Sequence, residues 1–460
     1  MTTKPRKPSK RETSAILQSL SAGVTPRSGL EYIAVGRELE INALLRDLDN
    51  QVSEGGASFR IISGRYGSGK SFLCQLIRNY ALQKNFVVMD ADFSPERRLT
   101  GTQGQGLNLY RELLKNMSTR TRPDGGAFSA VLERWISDLQ KQVIDQLGIQ
   151  PVDPRYRAAV DKQIRDAIHR IEELVHGFDF AAVLSAYWHG YHDGDDALKD
   201  AALRWLRGEL TSKTDARAAL GVRVIIDDDS WYDYVKLIAR FVKDIGYKGL
   251  VIFLDEAVNL YKISNSVSRT NNYEKLLTMF NDAMQGKVEF LGVVLGATPQ
   301  MVEDNRRGLF SYEALRSRLQ ESRFARDGLR DLANPLIRLE TLEPEELFLL
   351  LRKLRDTHAL HFGYEATLTD RQIEFFLKEV RKRIGADQLL TPREVTRDFI
   401  TVLNLLQQNP DRTLESIVGG SGFIPTRAGT DPEALTPETE IADDEAPPQS
   451  PASPYKSFDL

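Results

Sequence analysis

The sequence predicts an α/β protein in which a five-stranded parallel sheet carries a phosphate-binding loop, a large helical insertion and a C-terminal helical lid. Three observations predict this fold. Five apolar runs are separated by segments with helical spacing, which is typical of buried parallel strands. The first run leads directly into a glycine-rich motif and a helix. About 160 residues separate the second run from the third, far more than one crossover helix requires.

The apolar runs define the predicted strands. They fall at residues 59–62, 86–90, 250–254, 290–295 and 336–339. Each run is rich in Val, Ile, Leu and Phe and lacks the polar alternation of a half-exposed strand. Both faces of the sheet are therefore expected to be covered by helices.

Four segments organise the chain. A basic arm with a short helix is expected at residues 1–28, and the sheet domain at 29–342, with its helical insertion at about 104–245. Residues 343–418 are predicted to form the lid. Residues 419–460 are acidic and rich in proline, which predicts a disordered tail.

Local signals place some residues within these segments. Three tryptophans of the insertion, Trp188, Trp205 and Trp231, are expected to anchor its core. Two segments of the lid, Thr369-Asp370-Arg371-Gln372 and Thr391-Pro392-Arg393-Glu394, have the pattern of a capping box that begins a helix.

The composition is that of a globular protein. Hydrophobic residues make up 41% of the chain, which is enough for a large core, and no run of about 18 apolar residues suggests a membrane span. The single cysteine, Cys74, excludes a disulfide framework and a cysteine-rich metal site. The net charge of −4 means that nucleic-acid binding would require a local basic patch. We expect a cytoplasmic protein without a membrane anchor.

The glycine-rich motif is a complete phosphate-binding loop of the G-x-x-x-x-G-K-[ST] type: Gly64-Arg65-Tyr66-Gly67-Ser68-Gly69-Lys70-Ser71. Its glycines allow backbone amides to turn towards phosphate oxygens, and the following helix adds its positive end. Lys70 is expected to neutralise phosphate charge, and the Ser71 hydroxyl to ligate Mg²⁺. The motif predicts a nucleoside triphosphate site.

The third predicted strand ends in Asp255-Glu256, the pattern of a Walker B motif. In a parallel sheet both acids would lie at the carboxyl edge, beside the phosphate-binding loop. Asp255 is expected to hold Mg²⁺, and Glu256 to polarise the attacking water as general base.

Four further residues are candidates for the catalytic site. Thr298, after the fourth strand, would orient the water, although a threonine before proline also suits a helix cap. Arg318, or else Arg316, would reach the γ-phosphate of a neighbouring subunit; the alternative is a solvated basic helix. Arg393, at the second position of its helix, would close on the γ-phosphate, unless it is merely exposed.

In this order the motifs resemble those of AAA+ ATPases. The segment Val35-Gly36-Arg37-Glu38 is similar to the V-G-R-E box of the initiator and origin-recognition branch, where it lines the adenine pocket. The segment Arg316-Ser317-Arg318 resembles the S-R-C finger of clamp loaders, with Leu319 in place of the cysteine. The resemblance implies an AAA+ fold, ATP and Mg²⁺ as ligands, a homo-oligomer, and contacts of Val35, Gly36 and Arg37 with the base.

A more specific resemblance covers roughly residues 15–410. Four segments carry it: the stretch from Ser21-Ala22-Gly23-Val24-Thr25-Pro26-Arg27 through Gly69-Lys70-Ser71-Phe72, then Ser94-Pro95-Glu96-Arg97-Arg98-Leu99, Trp205-Leu206-Arg207-Gly208-Glu209 and Thr391-Pro392-Arg393-Glu394. They are similar to the ATP-binding proteins of BREX-type phage-defence systems and of related defence or tellurite-resistance-type operons. This implies a bacterial ATPase subunit that works with a helicase or nuclease partner, on or near double-stranded DNA. The winged helix of initiator relatives is missing, so DNA contact would fall to Arg97-Arg98, the basic arm or the insertion.

Two other functions fit parts of the pattern. A nucleotide switch that assembles a defence complex without hydrolysing ATP would use the same loop, but Glu256 favours hydrolysis. A small-molecule kinase would also share the loop. The Asp-Glu pair, the lid arginine and the large insertion argue against a kinase.

Overall fold

The computed structural model describes residues 7–172, 175–320, 331–384, 391–420 and 423–425. Most of the predicted tail and the first six residues of the basic arm lie outside this range. Within it, the chain forms an α/β fold of the P-loop type with a helical insertion, as the sequence predicts.

Five parallel strands form one sheet: β1 (Ala57–Gly64), β2 (Val87–Asp92), β3 (Leu250–Asp255), β4 (Leu291–Ala297) and β5 (Leu336–Leu339). Their spatial order is β2-β3-β4-β1-β5, so β4 lies between β1 and β3. All five strands point the same way, which brings their carboxyl ends to one edge. The phosphate-binding loop leaves β1 at that edge, and Asp255 ends β3 there.

Helices surround the sheet and build the insertion and the lid. Before and after β1 come α1 (Lys10–Ser21), α2 (Leu30–Ile33), α3 (Glu38–Asn50), a 3₁₀ turn (Val52–Glu54) and α4 (Lys70–Gln83). Between β2 and β3 lie α5 (Gln105–Lys115), α6 (Phe128–Leu147), α7 (Tyr156–Glu172), α8 (Gly177–Asp193), α9 (Asp196–Leu206), α10 (Lys213–Leu220) and α11 (Trp231–Asp244).

Helices also connect the strands in the second half of the chain. Between β3 and β5 lie α12 (Val258–Tyr261), α13 (Ser266–Met284), α14 (Pro299–Glu303), a 3₁₀ turn (Leu309–Ser311) and α15 (Glu313–Leu319). The segment predicted to form the lid contains α16 (Pro344–Phe362), α17 (Asp370–Ile384), α18 (Pro392–Gln408) and α19 (Leu414–Val418).

The insertion is continuous with the main core rather than a separate body. The three tryptophans predicted as its anchors, Trp188, Trp205 and Trp231, are buried, with exposures of 0%, 1% and 0%, and belong to the same apolar cluster as one face of the sheet. Their indole nitrogens donate to Asp161, to the Val224 carbonyl and to the Leu99 carbonyl. The prediction that these residues are core anchors is confirmed.

The N-terminal helix α1 packs into the lid. Ile16 and Leu17 share an apolar cluster with Leu351 of α16 and Phe399 of α18. A capping box between Ser9 and Glu12 begins α1, with both reciprocal bonds present. Helix α1 of the predicted arm is therefore held against the C-terminal helices through its buried face.

One predicted capping box is wrong in part. Helix α18 begins as predicted, with Pro392 first and Arg393 second, but the Thr391 side chain makes no capping hydrogen bond. Its hydroxyl is turned instead towards the phosphate-binding loop, where it lies 2.8 Å from the position that a Cβ would take on Gly67. For α17, the Thr369 amide donates to Gln372 as the pattern predicts. None of the described helices is both long and apolar enough to cross a bilayer.

Candidate nucleotide-binding site

The phosphate-binding loop connects β1 to α4 in the strand, loop and helix order that its motif requires. Gly69 is the residue before α4 and has φ +97°, a conformation that side chains other than glycine rarely adopt. The Lys70 ammonium donates to the carbonyls of Gly64 at 2.6 Å and Arg65 at 3.1 Å. Lys70 therefore lies across the mouth of the loop, where its charge can meet phosphate.

The two predicted metal ligands are in direct contact. The Ser71 hydroxyl donates to Asp255 Oδ2 at 2.8 Å, although the residues are 184 positions apart in the chain. The other carboxylate oxygen of Asp255 accepts from the Glu256 amide at 2.8 Å. A hydroxyl and a carboxylate held together at the edge of the loop are the oxygen donors that Mg²⁺ prefers, so the residues fit this ion.

Glu256 has an unusual backbone. Its φ of +56° lies in the left-handed region, which is uncommon for a residue with a side chain and costs free energy. This conformation turns the chain sharply where β3 ends. The Glu256 side chain consequently lines the same cavity as Lys70 and Ser71.

A third acid, Asp92, belongs to the site although the sequence analysis did not select it. It ends β2 and pairs in register with Asp255 of the neighbouring strand. Partial burial, with the negative charges of Asp255 and Asp90, raises the pKa of Asp92. Partial burial, with the charges of Asp255 and Asp92, likewise raises the pKa of Glu256, which favours proton uptake by that carboxylate.

These residues line one cavity of about 570 Å³, a volume typical of small-molecule sites. One end is polar and contains the phosphate-binding loop and the three acids. The other end is apolar and is lined by Leu20, Ile33, Val35, Phe72, Leu342 and Leu350. Such a cavity suits a ligand with an anionic end and a flat apolar end, which describes a nucleotide.

The segment predicted to contact the base lies at the apolar end. Val35 and Arg37 line the cavity. The Arg37 guanidinium also donates to the carbonyls of Ser68, at 3.4 Å, and Glu340. Gly36 is not part of the lining; a Cβ on it would lie 2.3 Å from the Glu346 carboxylate.

Thr298 lies between the loop and the acids because β4 separates β1 from β3. Its side chain is nearly buried and caps α14 by accepting from the Met301 amide at 3.3 Å. It also lines the cavity. The structure thus shows the capping role, and leaves the predicted role in orienting water as a proposal.

The three predicted arginines lie in two places. Arg393 of the lid lines the cavity and donates a hydrogen bond to the Tyr66 hydroxyl. Arg316 and Arg318 of α15 do not line it. Arg318 bonds to Asn281 at 3.1 Å and to the Ala314 carbonyl, and Arg316 is paired with Glu313 at 4.0 Å.

Comparison with models of protein families assigns the chain to one family. The model of the BREX system ATP-binding protein BrxC/D family matches residues 9–421. The chain belongs to this family. No curated protein matches the chain.

The BrxC/D match covers all of the candidate site residues, from Val35 to Arg393. It also covers Asp92 and Asn259, two residues that sequence reasoning missed. The Asn259 amide donates to the Phe93 carbonyl at 2.8 Å and lines the cavity beside Glu256. The available signal for Asp92 was an acidic residue two positions beyond the end of a predicted strand, because the carboxyl ends of parallel strands meet at the same edge of the sheet.

Both residues of the Arg97-Arg98 pair are half-buried in this BrxC/D protein. Arg97 donates to the Asp92 carbonyl at 3.0 Å, and the Nε atom of Arg98 is buried.

Proposed function

We propose that the protein is an ATPase of the AAA+ type that hydrolyses ATP to ADP and phosphate within a BREX-type phage-defence complex. The observation that carries this proposal is the 2.8 Å contact between Ser71 and Asp255, with Glu256 directly beside it in the cavity. Membership of a family of ATP-binding proteins supports ATP as the nucleotide.

Each residue has a chemical task in this proposal. Amides of the loop and Lys70 bind the β- and γ-phosphates, and the apolar end of the cavity holds the adenine. Ser71 and Asp255 would hold Mg²⁺, which supplies neutralisation of phosphate charge. Glu256 accepts the proton of the attacking water, and Thr298 orients that water.

The candidate arginines act on the nucleotides of two different subunits in this proposal. Arg393 acts within its own chain, because it lines the cavity. Arg318, with Arg316 as the second candidate, serves a neighbouring copy, because α15 carries both side chains at the surface and away from the cavity of its own chain. This division makes turnover dependent on a homo-oligomer. We further propose that the assembly drives a helicase or nuclease partner that acts on double-stranded DNA.

Replacement of Glu256 by Gln tests the proposal. The amide keeps the shape of the side chain but cannot accept a proton, so phosphate release should fall by about 10²–10⁴-fold while ATP stays bound. Glu274 of α13 is exposed and outside the cavity, and E274Q should leave turnover unchanged.

Three outcomes distinguish the candidate functions. Unchanged turnover in E256Q contradicts the assignment of the base. ATP-dependent assembly without phosphate release in the unmodified protein favours the non-hydrolysing scaffold. Transfer of phosphate to an acceptor other than water would indicate a kinase.

A further inference from the structure

Tyr66 of the phosphate-binding loop is in contact with the lid. The Arg393 guanidinium carbon lies 5.0 Å from the centre of the Tyr66 ring, over its face, and Nη1 of the same guanidinium donates to the Tyr66 hydroxyl. One side chain thus offers Arg393 both a π face and a hydrogen-bond acceptor.

The surrounding backbone is arranged to bring the two side chains together. A Cβ on Gly67 would lie 2.8 Å from the Thr391 hydroxyl, so the loop and the start of α18 approach each other closely. On the other side of Arg393, a Cβ on Gly23 would lie 3.3 Å from its Nε atom. Arg393 is therefore enclosed between the loop and the turn that follows α1.

Tyr66 contributes little to the core. Its exposure is 39%, and it belongs to none of the three buried apolar clusters of the described residues. A role in folding does not explain a large aromatic side chain at this position. Its contacts with Arg393 do.

We infer that Tyr66 is a positioning residue that acts through Arg393. The inference rests on the proposed function and extends it: Tyr66 fixes the direction in which the lid arginine enters the phosphate end of the cavity. The planar guanidinium can rotate freely about its long side chain, and stacking on the ring removes part of that freedom before ATP binds. Tyr66 thereby couples the γ-phosphate to the position of the lid and of α1.

A double-mutant cycle tests this inference. In Y66F the ring remains and the acceptor is lost, so kcat should fall by about twofold to fivefold. In Y66L both contacts are lost, and kcat should fall by about fivefold to thirtyfold, with a smaller change in KM. In the R393A background, the further change Y66L should alter kcat by less than about twofold, because its partner is already gone.

Binding provides a second readout that does not depend on turnover. Fluorescent ATP and ADP analogues are titrated into the same variants, and Y66L should reduce the preference for ATP over ADP by a similar factor. R397A is the matched control, because Arg397 is exposed on α18 one turn after Arg393 and does not line the cavity. It should change neither readout.

Two results would overturn the inference. One is full additivity of Y66L and R393A, and the other is an equal loss of ATP and ADP binding in Y66L. If the unmodified protein shows no turnover, the proposed hydrolysis fails, and the ATP-to-ADP preference alone then decides the role of Tyr66.

Discussion

Gly296 of β4 should be intolerant of a single added methyl group. A Cβ at this position would lie 2.3 Å from Asp255 Oδ1 and 3.1 Å from the carboxyl carbon. Cβ atoms essentially never approach a non-bonded heavy atom of another residue within 3.0 Å, so the carboxylate has to move by roughly 0.7 Å or more. The other oxygen of that carboxylate bonds to Ser71.

Displacement of the Asp255 carboxylate should lower the rate of ATP hydrolysis. Oδ1 also accepts from the Glu256 amide, so G296A disturbs the proposed metal ligand and the proposed base together. A misplacement of about 1 Å in a catalytic group can cost on the order of 10²-fold. We expect kcat for ATP hydrolysis to fall by about 30- to 100-fold.

Gly292, on the same strand, provides a matched control. A Cβ there would meet Leu48, Ser58 and Val251 at 3.5 Å, an ordinary contact distance. G292A should therefore keep its turnover and its melting temperature. The assay is phosphate release at saturating ATP and Mg²⁺, with thermal unfolding to show that both variants are folded.

Two outcomes would refute this reasoning. G296A that is folded and hydrolyses ATP at the normal rate would mean that the position of Asp255 is unimportant for turnover. An equal loss in G292A would mean that the effect comes from the strand and not from the carboxylate.

Three further predictions concern stability. D92N should raise the melting temperature at pH 7, because the raised pKa of Asp92 shows that its charged form is unfavourable in the folded state. This increase in melting temperature should vanish below about pH 4, where Asp92 is protonated in both the folded and the unfolded state. D47A should destabilise the fold by about 3–5 kcal/mol in denaturant titrations, because it leaves the buried guanidinium of Arg60, now bonded to Asp47 at 2.5 and 2.9 Å, without its counter-ion. His358 is buried between Tyr364 and Asn404, and burial lowers its pKa. The stability that its neutral ring contributes is therefore complete above about pH 6.5 and is lost as the pH falls through the lower pKa of the folded state. H358Q should remove this acid sensitivity of thermal unfolding.

The parts of the fold that follow from local pattern could be predicted from the sequence. Continuous apolar runs predicted the strands because a parallel sheet is buried on both faces. The carboxyl ends of parallel strands share one edge of the sheet, and this rule also predicted that Asp255 lies beside the loop that contains Ser71. Both arguments need only the period of the sequence and the direction of the strands.

Other contacts could not be predicted because they depend on tertiary packing. Nothing in the sequence near Thr391 shows that its hydroxyl faces Gly67 rather than capping its own helix. The ring of Tyr66 fills an unspecified position of its motif, so its contact with Arg393 required the position of the lid. Asp92 was missed because the second strand extends two residues beyond its predicted end.

The place of α1 has a consequence for how the chain matures. Ile16 and Leu17 are covered by helices that follow more than about 300 residues later. During synthesis the apolar face of α1 leaves the ribosome long before α16 and α18 are made. It therefore stays exposed to solvent while the sheet and the insertion form. Packing of α1 against α16 and α18 would then be among the last events of folding. The apolar end of the cavity, which Leu20 and Leu350 line, would be complete only after that step.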